Sequence, residues 1–253
     1  MVAIQGQNDT LTDMINERGL NCHQEGLFNL YSYLKHNIYP YLCPQDIQLL
    51  SSGGSSVVIK IRGQSQIVYQ YFQSFEISQQ IWNFCKNMNT SREQTLQLPR
   101  TIKHMPVHYD LSKYLVNAQE WWPELKAIVW DQVTPVSELT FDFLHEHYHQ
   151  LVWDIHKALN GLHSQGYAHG DCNLDNIGWK AGHFVLYDYN LCRQITPDNP
   201  ENDYFNFGLS LANSFTGQFI PYCKRDYHFF LMNIKQQRKI TDSATLIDYL
   251  EVR

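Results

Sequence analysis

The sequence predicts an α+β protein in which strands fill much of the first half of the chain and helices dominate the second. Three stretches carry this reading. Residues 47–72 hold three β-rich runs separated by SSGGSS and RGQS, the punctuation of two successive hairpins. Residues 141–164 place apolar side chains at helical spacing, and Gly166 stops the pattern. The stretch YAHGDCNLDNIGWKAGHFVLYDYN, from Tyr167 to Asn190, sets two short apolar strands around a KAG turn and flanks them with acids.

Composition narrows the class. A chain of 253 residues with 43% apolar and 17% charged residues buries a sizeable core, as one large domain or two closely packed lobes. A formal charge of −6 argues against nucleic acid or an anionic membrane surface as a partner. The six cysteines, at 22, 43, 85, 172, 192 and 223, form no C-x-x-C pair, so neither a zinc site nor a disulfide framework is indicated. The N-terminus lacks a basic segment followed by an apolar run, and no window approaches 18 apolar residues. The expectation is a soluble, intracellular protein with no membrane span.

In chain order, residues 1–44 read as an N-terminal extension with a helix around Leu27 to Leu34 and a punctuated YPYLCP at Tyr39 to Pro44. The strands of residues 47–72 come next, then a helix from about Phe75 to Met88. Within residues 89–120, which show no clear period, TSREQTLQLPR reads as a loop, and LKAIVWDQVTP restores strand character. Leu144, Tyr148, Leu151, Val152, Ile155, Leu159 and Leu162 define one long helix over Phe141 to Ser164. The HEHYH at its start, with His145, His147 and His149, reads as a solvated helix face with one buried aromatic rather than as a metal site. After the hairpin, NDYFNFGLSLANSF predicts a helix, and an apolar HFFLM run and a TLIDYL helix close the chain.

The polar residues of the hairpin region point to chemistry. Asp171 precedes Asn176 by five positions, and the second strand delivers Asp188. Phosphoryl transfer from ATP needs this set: one carboxylate to orient or deprotonate the attacking hydroxyl, and an amide with a second carboxylate to hold the cation on the triphosphate. His169, Gly170, Asp171 and Asn176, with Asp188, Tyr189 and Asn190, make the chain resemble the protein-kinase-like phosphotransferases, whose catalytic loop is H-x-D-x-x-x-x-N and whose metal hairpin ends in D-F-G.

The resemblance implies a two-lobed α+β fold: a small N-lobe with a five-stranded antiparallel sheet over residues 45–134, a reduced and mostly helical C-lobe over 135–253, and nucleotide in the cleft. It implies that Asp171 is the catalytic base, that Asn176 and Asp188 hold Mg²⁺ or Mn²⁺, and that His169 props the loop. Gly53 and Gly54 stand where a glycine-rich turn covers the phosphates, although serines occupy two expected glycine positions, Ser51 and Ser56. Val58 would then cap the adenine, Val68 would belong to the same nucleotide site, and the backbone of Asp131 and Val133 would bond the adenine edge. Asp203 and Gly208 fall on the pattern of the helix that anchors the catalytic loop.

Several departures qualify the resemblance. Gln70 stands in place of the lysine that anchors the ATP phosphates, and Gln80, or Glu76 one turn earlier, in place of that lysine's glutamate partner. Lys60 shares a strand face with Val58 and is the one nearby cation able to take over. Asp203 follows Asp188 by only fifteen positions, too few for a full activation segment, and no A-P-E is present after them. Asn173 stands where protein kinases place a lysine. Three readings compete: a minimal Ser/Thr-type protein kinase, a small-molecule kinase similar to aminoglycoside, choline or lipopolysaccharide-sugar kinases, and a pseudokinase that binds partners. In the first two the acceptor is a protein or small hydroxylic molecule.

Overall fold

The computed structural model describes residues 11–90, 92–96, 107–198 and 202–215. Residues 11–17 are helical (α1), followed by α2 (Gln24–Asn37), β1 (Ile47–Ser52), β2 (Ser56–Ile61), β3 (Ile67–Phe72) and α3 (Phe75–Thr90). Then come β4 (Glu93–Leu96), β5 (Val107–Asp110), β6 (Ala118–Trp122), β7 (Ala127–Asp131), β8 (Thr134–Pro135), α4 (Phe141–Glu146) and α5 (Tyr148–Ser164). The series ends with β9 (Tyr167–Ala168), β10 (Ile177–Lys180), β11 (His183–Leu186), β12 (Arg193–Gln194) and α6 (Asp203–Phe215). The described residues group into two compact units: those of Met1–Lys86 and Asn117–Gln132, and those of Asn87–Val116 and Val133–Arg253. The protein is thus mixed α+β.

The first unit is a five-stranded antiparallel sheet in the order β1-β2-β3-β7-β6. Strand alternation divides its side chains. Val57, Ile59, Ile61, Tyr69, Tyr71, Ala127 and Val129 bury against Leu11, Ile15, Leu27, Leu30 and Leu34 of the N-terminal helices. Fully burying each such aliphatic side chain contributes about 1.5–3 kcal/mol, so residues 11–42 form half of this core rather than an appendage. α2 approaches so closely that a Cβ on Gly26 would lie 1.9 Å from the Tyr71 ring. TSREQTLQLPR, read as loop, holds β4 among its described residues, and β5 and much of β6 lie further along residues 89–120. β6 carries AQEWW, whose glutamine and glutamate hide the period, and its register slips between Ala118 and Glu120.

In the second unit α5 buries Leu151, Ile155, Ala158, Leu159 and Leu162, and the β10-β11 hairpin buries Ile177, Phe184, Val185 and Leu186. The buried Asp154 carboxylate joins them by accepting the Phe184 N–H at 3.0 Å. The hairpin turns through Ala181 (φ 48°) and Gly182 (φ 86°), the two left-handed residues that a tight two-residue hairpin requires. β8 pairs with the other edge of β10 at Gly178, where a Cβ would come within 2.8 Å of Val133.

The single helix expected over residues 141–164 is two. His147, at ψ 15°, breaks it between α4 and α5, and its Nδ1 lies 2.9 Å from Phe143 O while its ring stacks on Phe143 at 4.1 Å. Apolar spacing runs through the break, with Leu144 ahead of it and Tyr148 and Leu151 behind, so periodicity alone did not reveal it. Among the described residues no helix is long and apolar enough to cross a membrane. The HFFLM run and the TLIDYL segment lie outside the described residues.

Candidate functional site

The segment after β9 is held by one buried acid. Asp203, fully buried at the start of α6, accepts the backbone N–H of His169 at 2.7 Å and of Gly170 at 2.8 Å, and meets His163 Nε2 at 2.9 Å. Burial pushes its pKa up, but the His163 contact, the nearby His169 and the N–H donors outweigh that and hold it below the usual carboxylate range. His169 is fully buried, and burial lowers its pKa and keeps the ring neutral. Its Nε2 lies 3.0 Å from Tyr187 O, so that nitrogen carries the proton. Gly170 has φ 85°, and a Cβ there would stand 2.3 Å from the Leu191 carbonyl. Both constraints demand glycine.

This frame presents Asp171, which is half-buried, with both carboxylate oxygens occupied by amides. Asn173 Nδ2 donates to Oδ1 at 2.8 Å, and Asn176 Nδ2 donates to Oδ2 at 2.8 Å and to Asp171 O at 2.8 Å. Asn173 is fixed in turn by the Asp175 N–H at 2.9 Å on its Oδ1, and Ser210 Oγ accepts the Leu174 N–H at 2.9 Å. The nitrogen of the buried Asn176 is directed at Asp171, which leaves its oxygen as the atom to offer a cation.

The hairpin returns the chain to the same place. Tyr187 N–H donates to Asn176 O at 3.0 Å, and the next residue, Asp188, adopts φ 61°, ψ 74°. That left-handed conformation in a non-glycine residue costs about 1–2 kcal/mol. Crowding by surrounding chain raises the Asp188 pKa, with a smaller push from the Asp171 charge, although the residue still reaches solvent. Tyr189 anchors the chain just beyond it: the residue is buried, its hydroxyl sits 2.8 Å from Leu186 O and 3.0 Å from Val116 O, and its ring meets His169 edge-on at 5.8 Å. Asp171, Asn176 and Asp188 are therefore brought together.

The remaining sequence-derived residues, apart from Val133, belong to the first unit. Cross-strand pairing puts Val58 opposite Gln70, and alternation adds Lys60 and Val68 to that face, opposite the core. Lys60 is half-buried and makes no ion pair or hydrogen bond among the described residues. Gln70 is buried and donates to Ser56 Oγ at 3.0 Å. The Gln70–Gln80 pair does not form: Gln80 is exposed, Glu76 is exposed and accepts from the Ser74 hydroxyl, and the inward position of α3 is the fully buried Ser78. Gly53 and Gly54 are exposed, with neither a left-handed φ nor a neighbour that would exclude a Cβ.

At the proposed hinge the Asp131 N–H already donates to Asn117 O at 3.2 Å, and its carboxylate accepts from Gln119. The Asp131 N–H is therefore already committed within the sheet. The Val133 side chain packs where a Cβ of Gly178 would be, in the second unit.

Sequence reasoning missed His163, Asn173 as a partner of Asp171, and Ser56 as a partner of Gln70. Only Asn173 gave a signal, by standing where a lysine was expected. Among the described residues no three His, Cys, Asp or Glu side chains converge on a metal position. The donor set at the loop is one amide oxygen and one carboxylate, hard ligands of the kind that magnesium takes when a nucleotide completes its shell. No family model matches the chain, and no curated protein matches it.

Proposed function

We propose that the protein is an ATP- and magnesium-dependent phosphotransferase of the two-lobed protein-kinase-like fold, transferring the γ-phosphoryl group to a hydroxyl of a protein or small-molecule acceptor. The observation that carries the reading is the Asp171, Asn176 and Asp188 cluster, with its loop tied to Asp203 through two backbone N–H groups. Asp171 accepts the acceptor's proton as its oxygen bonds to phosphorus and the bond from phosphorus to the ADP oxygen breaks. Asn173 and Asn176 fix that carboxylate, and neither competes for the proton. Magnesium, held by Asn176 Oδ1 and Asp188, would neutralise charge on the transferring group. Lys60 takes the role of the missing lysine, on the face that also bears Val58, Val68 and Gln70.

The experiment is incubation of the pure protein with γ-labelled ATP, with and without magnesium or manganese, alone, with generic protein acceptors and with hydroxylic metabolites. Magnesium-dependent label transfer is expected. Absence of transfer under every condition, with a melting temperature indifferent to ATP and magnesium, would sink the reading.

A second reading has an observation of its own. Gln70 is locked to Ser56 in the sheet and α3 turns no acid inward, which is how a chain that binds partners without catalysis would look. Nucleotide binding without transfer would select it.

A further inference from the structure

Gly53 and Gly54 are accounted for by neither backbone strain nor crowding, yet the turn that they form is held from one side. The Gly53 N–H donates to Ser56 O at 2.9 Å, closing the turn between β1 and β2. Its carbonyl is met by His23 Nε2 at 2.9 Å, thirty residues earlier in the chain. A carbonyl only accepts, so Nε2 carries the hydrogen. His23 is nearly fully buried at 1% exposure, its Nδ1 has no partner among the described residues, and its ring stands edge-on to Tyr71 at 6.1 Å. On the far side of the turn, the Gln73 N–H donates to Ser55 O at 3.0 Å, and Gln73 Nε2 reaches Cys22 O at 3.4 Å. The same short helical segment, Asn21–His23, thus grips the glycine turn directly and through Gln73.

We infer that His23 is a positioning residue for the glycine turn, and that the N-terminal helices set the height of the turn's backbone N–H groups for a phosphate ligand. The inference rests on the ATP-binding reading above for its ligand, but the strut itself is a property of the free protein. A buried imidazole aimed at one carbonyl, with its other nitrogen unpartnered, has no better use in the packing: leucine would fill the space without leaving a polar atom unsatisfied.

The test compares His23→Leu, which keeps the volume and removes the donor, with His23→Gln, whose amide N–H can reach the same carbonyl. Amide hydrogen exchange over residues 52–56 is measured without nucleotide, together with KM for ATP and kcat. In His23→Leu, exchange should accelerate about tenfold, the loss of one buried hydrogen bond, and KM should rise several-fold with kcat little changed. His23→Gln should restore most of both. Unchanged exchange in folded His23→Leu overturns the strut, and so does failure of His23→Gln to restore it. Faster exchange in a protein that shows no ATP affinity at all keeps the strut and removes instead the phosphotransferase reading.

Discussion

The Asp171 segment of the second unit and the Gln70–Lys60 face of the first show two ways of arranging polar groups. Around Asp171 almost every polar atom is tied to another: Asp203 to two backbone N–H groups, Asn176 and Asn173 to the carboxylate, His169 to Tyr187. Around Gln70 the tie is a single amide-to-hydroxyl bond, and the cation on that face, Lys60, has no partner among the described residues. A network so densely tied fixes one geometry before any ligand arrives, which is what transition-state stabilisation rewards. A half-buried ammonium with no protein partner among the described residues is left to solvent or to an anion. If the protein is an enzyme, the second unit supplies preorganised chemistry and the first supplies charge on demand.

The sharpest way to break this contrast is Asp171→Asn. It retains size and much of the hydrogen bonding but removes the base, so turnover should fall by about 10²–10⁴ with ATP affinity nearly unchanged. Near-parent turnover would make Asp171 a structural acid.

Next in size is Gly170→Ala. A φ of 85° and the Leu191 carbonyl 2.3 Å from the new Cβ should together destabilise the protein by about 2–4 kcal/mol, read as a drop in chemical-denaturation midpoint. The same exchange at Gly54, which meets nothing, should shift the midpoint by less than about 0.5 kcal/mol. Equal effects would erase the difference between the two loops.

Lys60→Ala tests the weaker side. Loss of the ammonium should lower kcat/KM about 10–100-fold, and Gln70→Lys in that background should recover part of it, because a charge in a partly desolvated site interacts more strongly than in water. Activity indifferent to Lys60 removes it from the site.

The last effect is pH-dependent and confined to the second unit. Burial lowers the His156 pKa from 6.5 to about 3, with its Nδ1 3.0 Å from the Tyr204 hydroxyl. The unfolded chain therefore binds a proton that the folded one refuses between those values. His156 contributes fully above pH 6.5, and the contribution is lost as pH falls toward 3, by at most about 1.4 kcal/mol per unit. His156→Gln should flatten the acid limb of stability measured between pH 6.5 and about 4. An unchanged slope would show that His156 does not drive it.

The two regions also differed in how far the sequence spoke for them. His169, Gly170, Asp171, Asn176 and Asp188 were legible because each needs a particular side chain or its absence: a left-handed turn, an amide of fixed reach, a carboxylate. Asp203 was legible for the same reason. The three strands from Ile47 to Phe72 showed through alternation and glycine punctuation, and the shared face of Val58 and Lys60 came from a period of two. The partner of Gln70 did not, because cross-strand registry is decided by backbone pairing of Val58 with Gln70 and Ser56 with Phe72, which no local pattern encodes. Neither did the helix break at His147, where a stacked ring and one backbone contact override a continuous apolar stripe. The N-terminal helices were half visible: the spacing of Leu27, Leu30 and Leu34 announced a helix, but nothing announced that its partner was the sheet.

The route of the chain has its own consequence for biogenesis. It passes from one unit to the other at residue 87, back at 117 and out again at 133. β7, which lies between β3 and β6, is therefore made some 55 residues after β3, with β4 and β5 of the other unit emerging in between. On the ribosome, at about 5–20 residues per second, the β3 edge waits several seconds with its backbone unpaired. An edge of that kind is where a nascent chain aggregates or recruits a chaperone. The Tyr and Phe of IVYQYF make this the interval in which the polypeptide is most vulnerable, and slowing translation between codons 73 and 127 should lower its soluble yield more than slowing it after codon 135.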